Sequence, residues 1–327
     1  MYSTIKNYFL LAVLANLSIL AMVIFVVALI YPTLPNISHL EKYYPKQPLQ
    51  IYSKEGVLIA EFGEERRDFI AISETPQQMI NAILSIEDRR FFEHPGIDFI
   101  GIARAALKNI AGRSHEGAST ITMQVARNFF LTSERTFKRK INEILLAIKI
   151  ERNLSKEEIL ELYINQIYLG QRSFGFAAAA NTYYGKNLDE LNLGETALLA
   201  GLPKAPSRYN PLVRPHLAIK RQQSVLTSML RHGYIDKPTY ILALEDALSL
   251  KEKFMKSELQ ANYVAEMVRK TLFEEFGDKI YTSGLKVYTT IKKKNQLMAN
   301  RAVKNGIINY MSRHIVDNSI LYSPICH

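Results

Sequence analysis

Glu87 and Asp88 close an apolar run in LSIEDRRFFEHPG, residues 84–96. A helix opening at Thr75-Pro76-Gln77-Gln78, with Thr75 as N-cap and Gln78 completing a capping box, puts Ile80, Ile83 and Leu84 on its inward stripe. Glu87 follows Ile83 by four residues and Leu84 by three, so it is expected on or beside that stripe at the last turn. A carboxylate there loses water, which favours its neutral form and raises its pKa. Such a group suits general acid or base work near neutral pH. The bland reading is a structural carboxylate paired with Arg89 or Arg90, and for one Glu-Asp pair alone it is preferred. His94 alone likewise reads as a core or turn histidine.

A second cluster lies in KRKINEILLAIKIE, where Lys140, Glu143, Ala147 and Glu151 fall at spacings of three, four and four on one helical face. Ala147 is expected to leave that face open between two carboxylates, with Phe137, Ile141, Ile144, Leu145 and Ile148 on the buried side. The bland reading is a solvated face laced with ion pairs, each contributing roughly 0.2–0.5 kcal/mol. Between the clusters, HEGASTITMQVARNFFL sets Gly117, Ser119, Thr120, Thr122, Gln124 and Arg127 around a helix start. Backbone N–H groups and hydroxyls at a helix start suit a phosphate, and Arg127 adds a fixed cation. It is no P-loop, because no Gly-Lys-Ser/Thr follows at the required spacing.

The elements around these clusters are readable. The chain has 327 residues, a formal net charge of +10 and one cysteine, Cys326. The charge points to an anionic partner, and one cysteine excludes a disulfide framework within the chain. Tyr8 to Ile30 is uncharged and long enough against the roughly 20 apolar residues that span a bilayer. Ile30-Tyr31-Pro32 is a poor cleavage site, so an uncleaved anchor is expected, with residues 1–7 as a cytoplasmic tail. Residues 31–74 read as a linker with a hairpin, LQIYS and VLIAEF around Lys54-Glu55-Gly56. From Thr75 to about Tyr234 the pattern is helical: Ser155-Lys156-Glu157-Glu158 is a capping box opening a helix that Gly170 can close. Asn192–Gly201, Pro215–His232 and Pro238–Leu250 also read as helices, and GLKVYTTI as a strand.

Five stretches, in order, carry a family resemblance: EDRRFFEHPG, GASTITMQ, RKINEILLAIKIE, KEEILELYINQIYLG and PKAPSRYNP. Over about residues 50–310 the chain resembles the peptidoglycan glycosyltransferase domain (glycosyltransferase family 51) of class A penicillin-binding proteins and monofunctional glycosyltransferases. It departs from many relatives at Met123-Gln124, where they carry two glutamines. The resemblance implies a mainly α, lysozyme-like fold of two lobes, with one transmembrane helix and small β linker elements. The implied domains are the anchor at 8–30, the glycosyltransferase at 75–235, and a helical segment with a linker remnant at 236–327. Ile97 to Leu107 would belong to a membrane-proximal lobe, or else be ordinary core.

The implied reaction is polymerisation of lipid II into glycan strands, with inversion at the anomeric carbon and loss of polyprenyl pyrophosphate. By matching motif positions, Glu87 would be the general base, and Glu143 would assist at the pyrophosphate, directly or through a divalent metal (Mg or Mn). Arg127, Arg139 and Lys140 would stabilise the leaving group. Asp88, Phe91, His94, Ser119, Thr120 and Gln124 would shape the cleft and hold the donor. The implied partners are lipid II, the growing strand and the membrane, with a separate transpeptidase or a second copy as protein partner and no nucleic acid. The implied location is a bacterial inner membrane, single-pass, with the catalytic part outside the cytoplasm. A transpeptidase needs Ser-x-x-Lys, Ser-x-Asn and Lys-Thr-Gly. Ser3-Lys6 and Ser283-Lys286 fit the first only formally and the others do not occur, so a chain truncated before that domain, with no cross-linking activity, is expected. The competing readings are a lysozyme-like glycan-cleaving enzyme, a non-catalytic cell-wall scaffold and a membrane-tethered nucleic-acid binder. The last is disfavoured because the basic residues alternate with acids and no aromatic stacking platform is present.

Overall fold

A computed structural model of the chain describes residues 27–38, 40, 47–63, 65–110, 119–131, 136–246 and 259–314, with isolated positions between Asn7 and Phe25. Eleven of the 23 residues of the expected membrane span, 8–30, and six of the seven in the tail before it lie outside the described residues. Among the described residues no helix is long and apolar enough to cross a membrane. The chain is mainly helical with a few short strands, and it divides into two compact units. One comprises residues 1–45 and 68–251, the other 46–67 and 252–327.

The first unit is built from α1 (Gln77–Glu87), α2 (Phe99–Ile110), α3 (Ile121–Phe130), α4 (Phe137–Glu151), α5 (Lys156–Gln166), α6 (Phe176–Tyr184), α7 (Leu193–Gly201), α8 (Pro215–Arg231) and α9 (Lys237–Asp246). α7 packs against α1 and α8, and α3 against α4 and α5. α7 is apolar nearly all round and Thr196 to Gly201 are all buried, as expected of a helix at the centre of a core. Ile83, Ile121, Leu146, Ile150, Tyr163, Phe176, Leu199 and Val225 are fully buried in one cluster.

The starts of four helices follow from their caps. Thr120, Thr136, Ser155 and Asn192 each accept a backbone N–H three residues on, and Ser155–Glu158 and Asn192–Glu195 complete capping boxes. Each such cap stabilises by about 1 kcal/mol. α1 departs from expectation. Its N-cap is Pro76, and the Thr75 hydroxyl donates to the carbonyl of Ala71 instead of capping the helix. Gln78 donates to Thr196 Oγ1 on α7, and the Thr75 N–H it would have capped is bonded to the carbonyl of Ile72. α5 ends at Gln166, where Ile167 turns extended; Gly170 (φ 91°) serves the turn beyond.

Two faces differ from the periodic reading. Phe137 is 93% exposed and Ile141 40%, whereas Glu143, Leu145, Leu146, Ala147 and Ile150 are buried, so α4 is rotated relative to the expected apolar side. The reason is that α3 and the turn before α2 cover the carboxylate side of α4. Among the described side chains of α2 Ala105 is buried, as is Ile97 before the helix, while Phe99 and Ile100 are 68% and 62% exposed. That excludes ordinary core for those two residues.

In the second unit β1 (Leu49–Tyr52) and β2 (Leu58–Phe62) form the expected antiparallel hairpin, with Gly56 (φ 81°) in the turn. β3 (Lys286–Tyr288) joins β1 in parallel, pairing Ile51 with Val287. α10 (Asn262–Phe276) supplies Ala265 to the small core of Leu49, Ile51, Ile59 and Ile280, and α11 (Lys293–His314) is largely exposed where its side chains are described.

Candidate active site

Glu87 occupies the last residue of α1, on the side that Ile83 and Leu84 carry into the core. Its side chain is 12% exposed. Gln124 Nε2, on α3, donates to Glu87 Oε2 at 2.8 Å. Arg221 of α8 approaches Oε1 to 3.6 Å. Burial lifts the Glu87 carboxyl above the ordinary glutamate range; the Gln124 hydrogen bond and the charges of Arg221, Arg127 and Lys204 pull the other way without cancelling it. The bland pairing with Arg89 or Arg90 does not form. Arg89 is exposed, and Arg90 pairs with Glu93 and Asp98.

Asp88 ends α1 with an extended φ of −158°, turning its carboxylate toward α3. It faces His94 Nε2 at 2.9 and 3.1 Å through its two oxygens and accepts the backbone N–H of Ile121 at 3.0 Å. His94 is therefore a buried partner of Asp88. The Thr120 hydroxyl accepts from Met123 N and donates to the carbonyl of Gly96 at 2.6 Å. The amides of residues 121 and 123, at the start of α3, thus already have acceptors. Free donors for an anion must come mainly from side chains.

Those side chains gather around Glu143, which is 1% exposed. Arg139 donates to Oε2 at 2.9 Å and Lys140 to Oε1 at 2.8 Å, while Lys140 also reaches Ser119 Oγ at 3.0 Å. Lys140 keeps 40% of its side chain exposed, so the pair leaves a cation at the surface of a buried carboxylate. Both carboxylates are thereby tied to one short stretch: Glu143 through Lys140 to Ser119, and Glu87 to Gln124. Arg127 Nη2 lies 3.5 Å from Gln124 Oε1.

The face of α4 expected to stay open is closed. Ala147 is fully buried, and a Cβ on Gly96 (φ 87°) would come within 3.1 Å of its carbonyl oxygen. The missing Cβ of Gly96 lets the turn that carries Asp88 and His94 lie against the α4 backbone. Glu151 accepts from the hydroxyl of Thr122 and from Lys156 Nζ at 2.7 Å. Lys156 also donates to the carbonyl of His94 at 2.7 Å and lies 4.5 Å above the ring of buried Phe91.

The sequence-derived residues Glu87, Asp88, Phe91, His94, Ser119, Thr120, Gln124, Arg127, Arg139, Lys140 and Glu143 thus interlock within one unit. Arg221 was missed: it sits in an ordinary-looking helix with no local signal. Sequence spacing shows Lys156 in a cap and at the start of the fourth stretch, and Glu151 at the end of the third; it does not show that the two meet. Tyr163, fully buried on α5, feels the Glu87 charge, and burial holds its phenol well above the usual range. For a metal the residues fit poorly. Both Glu143 oxygens already face cations, and among the described residues no group of three or more His, Cys, Asp or Glu is placed to hold one.

A family model described as "Transglycosylase" matches residues 55–230. Penicillin-binding protein 1A of Neisseria meningitidis serogroup A is 50% identical over 281 residues, 86% of this chain and 35% of that protein. Penicillin-binding protein 1A of Pseudomonas aeruginosa is 48% identical over 284 residues, 86% of this chain and 34% of that one. The crystal structure of penicillin-binding protein 1A from Haemophilus influenzae, 36% identical, covers 83% of this chain and 31% of that chain with a TM-score of 0.48. The chain spans about a third of the length of these curated relatives.

Proposed function

The chain belongs to the transglycosylase family, and from that premise we propose that it is a peptidoglycan glycosyltransferase that polymerises lipid II, with Glu87 as general base. The observation that carries the reading is a buried carboxylate, Glu87, with its proton affinity raised, tied through α3 to a cationic cluster at Glu143. In the reaction Glu87 takes the proton of the acceptor sugar's 4-hydroxyl. The freed oxygen forms a bond to the anomeric carbon of the growing strand from the face opposite the pyrophosphate. The carbon–oxygen bond to the pyrophosphate breaks, configuration inverts, and polyprenyl pyrophosphate leaves.

Charge builds on the leaving pyrophosphate as that bond lengthens. Fixed cations placed for the developing charge lower the barrier more than they stabilise the ground state. Lys140, Arg139 and Arg127 have that role here. Glu143 orients the first two instead of carrying a metal, since its oxygens are already engaged. Asp88 and His94 hold the first-motif turn against the start of α3, and Phe91 fills the space beneath it.

The substrate's lipid gives the rest of the reading its reason. The two lobes would be lysozyme-like, one of them near the bilayer, with the exposed Phe99 and Ile100 of α2 against lipid. The uncharged stretch from Tyr8 to Ile30 would anchor the chain in the inner membrane with the catalytic unit outside the cytoplasm. A second copy or a separate transpeptidase would be its protein partner.

The test is incubation of purified protein with labelled lipid II, beside Glu87→Gln. The parent makes glycan polymer and the mutant at least about a hundredfold less, the usual scale for a general base. Release of soluble muropeptides from purified cell wall, with no polymer from lipid II, would favour the cleaving enzyme instead.

A further inference from the structure

Arg221 is 10% exposed in its side chain and is fixed on three sides. Its Nε donates to the carbonyl of Gly201 at 3.0 Å, its guanidinium lies 5.9 Å from the ring centre of Tyr209, and one Nη stands 3.6 Å from Glu87. Gly201, at the end of α7, is shaped to this side chain. A Cβ there would sit 2.8 Å from Arg221 Cγ and 3.6 Å from Nε. Gly201 has φ −81°, so its backbone does not need glycine; the close approach of Arg221 does.

We propose that Arg221 is a positioning residue for Glu87, held against the carboxylate by the Gly201 carbonyl and admitted by the missing Cβ of Gly201. The proposal rests on the reading of Glu87 as general base. The guanidinium is already engaged by the Gly201 carbonyl and by Glu87, so its influence passes through Glu87. Several groups face that carboxylate: Gln124 and Arg127 from α3, Lys204 after α7, Tyr163 from α5, and Arg221 from α8. Tyr163 is neutral. Of the cations, Arg221 opposes the effect of burial on Glu87 most strongly. A base must be ionised before the hydroxyl arrives, and the cation beside it favours that form against burial.

The test uses the whole chain and three variants: Arg221→Gln, Arg221→Lys and Gly201→Ala. Two readouts are followed against pH. One is the Glu87 carboxyl band in difference infrared spectra, assigned by its loss in Glu87→Gln. The other is kcat/KM for lipid II polymerisation. In Arg221→Gln, the midpoint of the carboxyl band and the acidic limb of kcat/KM both move up by about one pH unit, the lower end of what a neighbouring charge does. Gly201→Ala moves both in the same direction with Arg221 still present, and Arg221→Lys restores most of the parent behaviour. A merely structural role would lower the rate at every pH and leave both midpoints in place. Unmoved midpoints in Arg221→Gln and Gly201→Ala overturn the proposal. If Arg221→Gln does not fold, Gly201→Ala and Arg221→Lys decide. A parent that makes no glycan at any pH, while its carboxyl midpoint still responds to Arg221, sinks the reaction assigned to Glu87 and leaves the coupling standing.

Discussion

Gln124 Nε2 donates to Glu87 Oε2 at 2.8 Å, joining the end of α1 to the second turn of α3. The bond favours the ionised carboxylate against the burial that disfavours it. Replacing Gln124 with leucine keeps the volume and removes the donor. A hydrogen bond to a charged group contributes roughly 1.5–3 kcal/mol, so kcat/KM at pH 6 should fall about tenfold or more. Activity should recover toward higher pH, because the acidic limb has moved upward. A uniform loss at all pH values would mean that Gln124 acts on the substrate and not on Glu87.

Glu87 also has a stability signature opposite to its functional one. Its folded carboxyl binds a proton more tightly than an exposed glutamate, so the associated stability is full below the unfolded value of about 4.3 and is lost as pH rises through the folded value. Glu87→Gln mimics the neutral form. The variant should melt at a higher temperature than the parent near pH 8, with the difference shrinking toward pH 4. Equal melting temperatures across that range would contradict the burial argument.

Lys156 neutralises Glu151 at 2.7 Å and also holds the His94 carbonyl, with 19% and 9% of the two side chains exposed. Lys156→Met leaves a nearly buried carboxylate with Thr122 as its remaining side-chain donor among the described residues. A loss of about 2–3 kcal/mol in urea unfolding is expected, just below the range for breaking a fully buried pair. Lys156→Arg should recover part of it. A loss under about 0.5 kcal/mol would place the pair with ordinary surface salt bridges.

Gly96 and Gly185 separate backbone strain from contact. Both have positive φ, 87° and 62°, but a Cβ on Gly96 would meet Glu151 Cγ at 3.0 Å and the Ala147 carbonyl oxygen at 3.1 Å, whereas one on Gly185 meets nothing within 4 Å. Gly185→Ala should cost about 1 kcal/mol, the left-handed penalty alone. Gly96→Ala should cost about 2–3 kcal/mol and loosen the turn bearing Asp88 and His94. Equal losses in thermal unfolding would show that the α4 contact adds nothing.

Some of this was decided locally and some was not. The capping box at Ser155, the helix starts near Thr120 and Asn192, the hairpin at Gly56 and the burial of Glu87 were legible in the sequence, because each depends on spacing within a few residues of one element. Periodicity says which residues share a face. It does not say what covers that face. So periodicity puts Phe137 inward where it lies outside, leaves an open face at Ala147 where Gly96 lies, and makes Thr75 a cap where its hydroxyl bonds the Ala71 carbonyl. Arg221 at Glu87, Lys156 across three motifs, and the late strand at Lys286–Tyr288 beside Leu49–Tyr52 join residues far apart in the chain. Only the packed structure selects such partners, because burial is non-directional and the close approach of two backbones is set by every side chain between them.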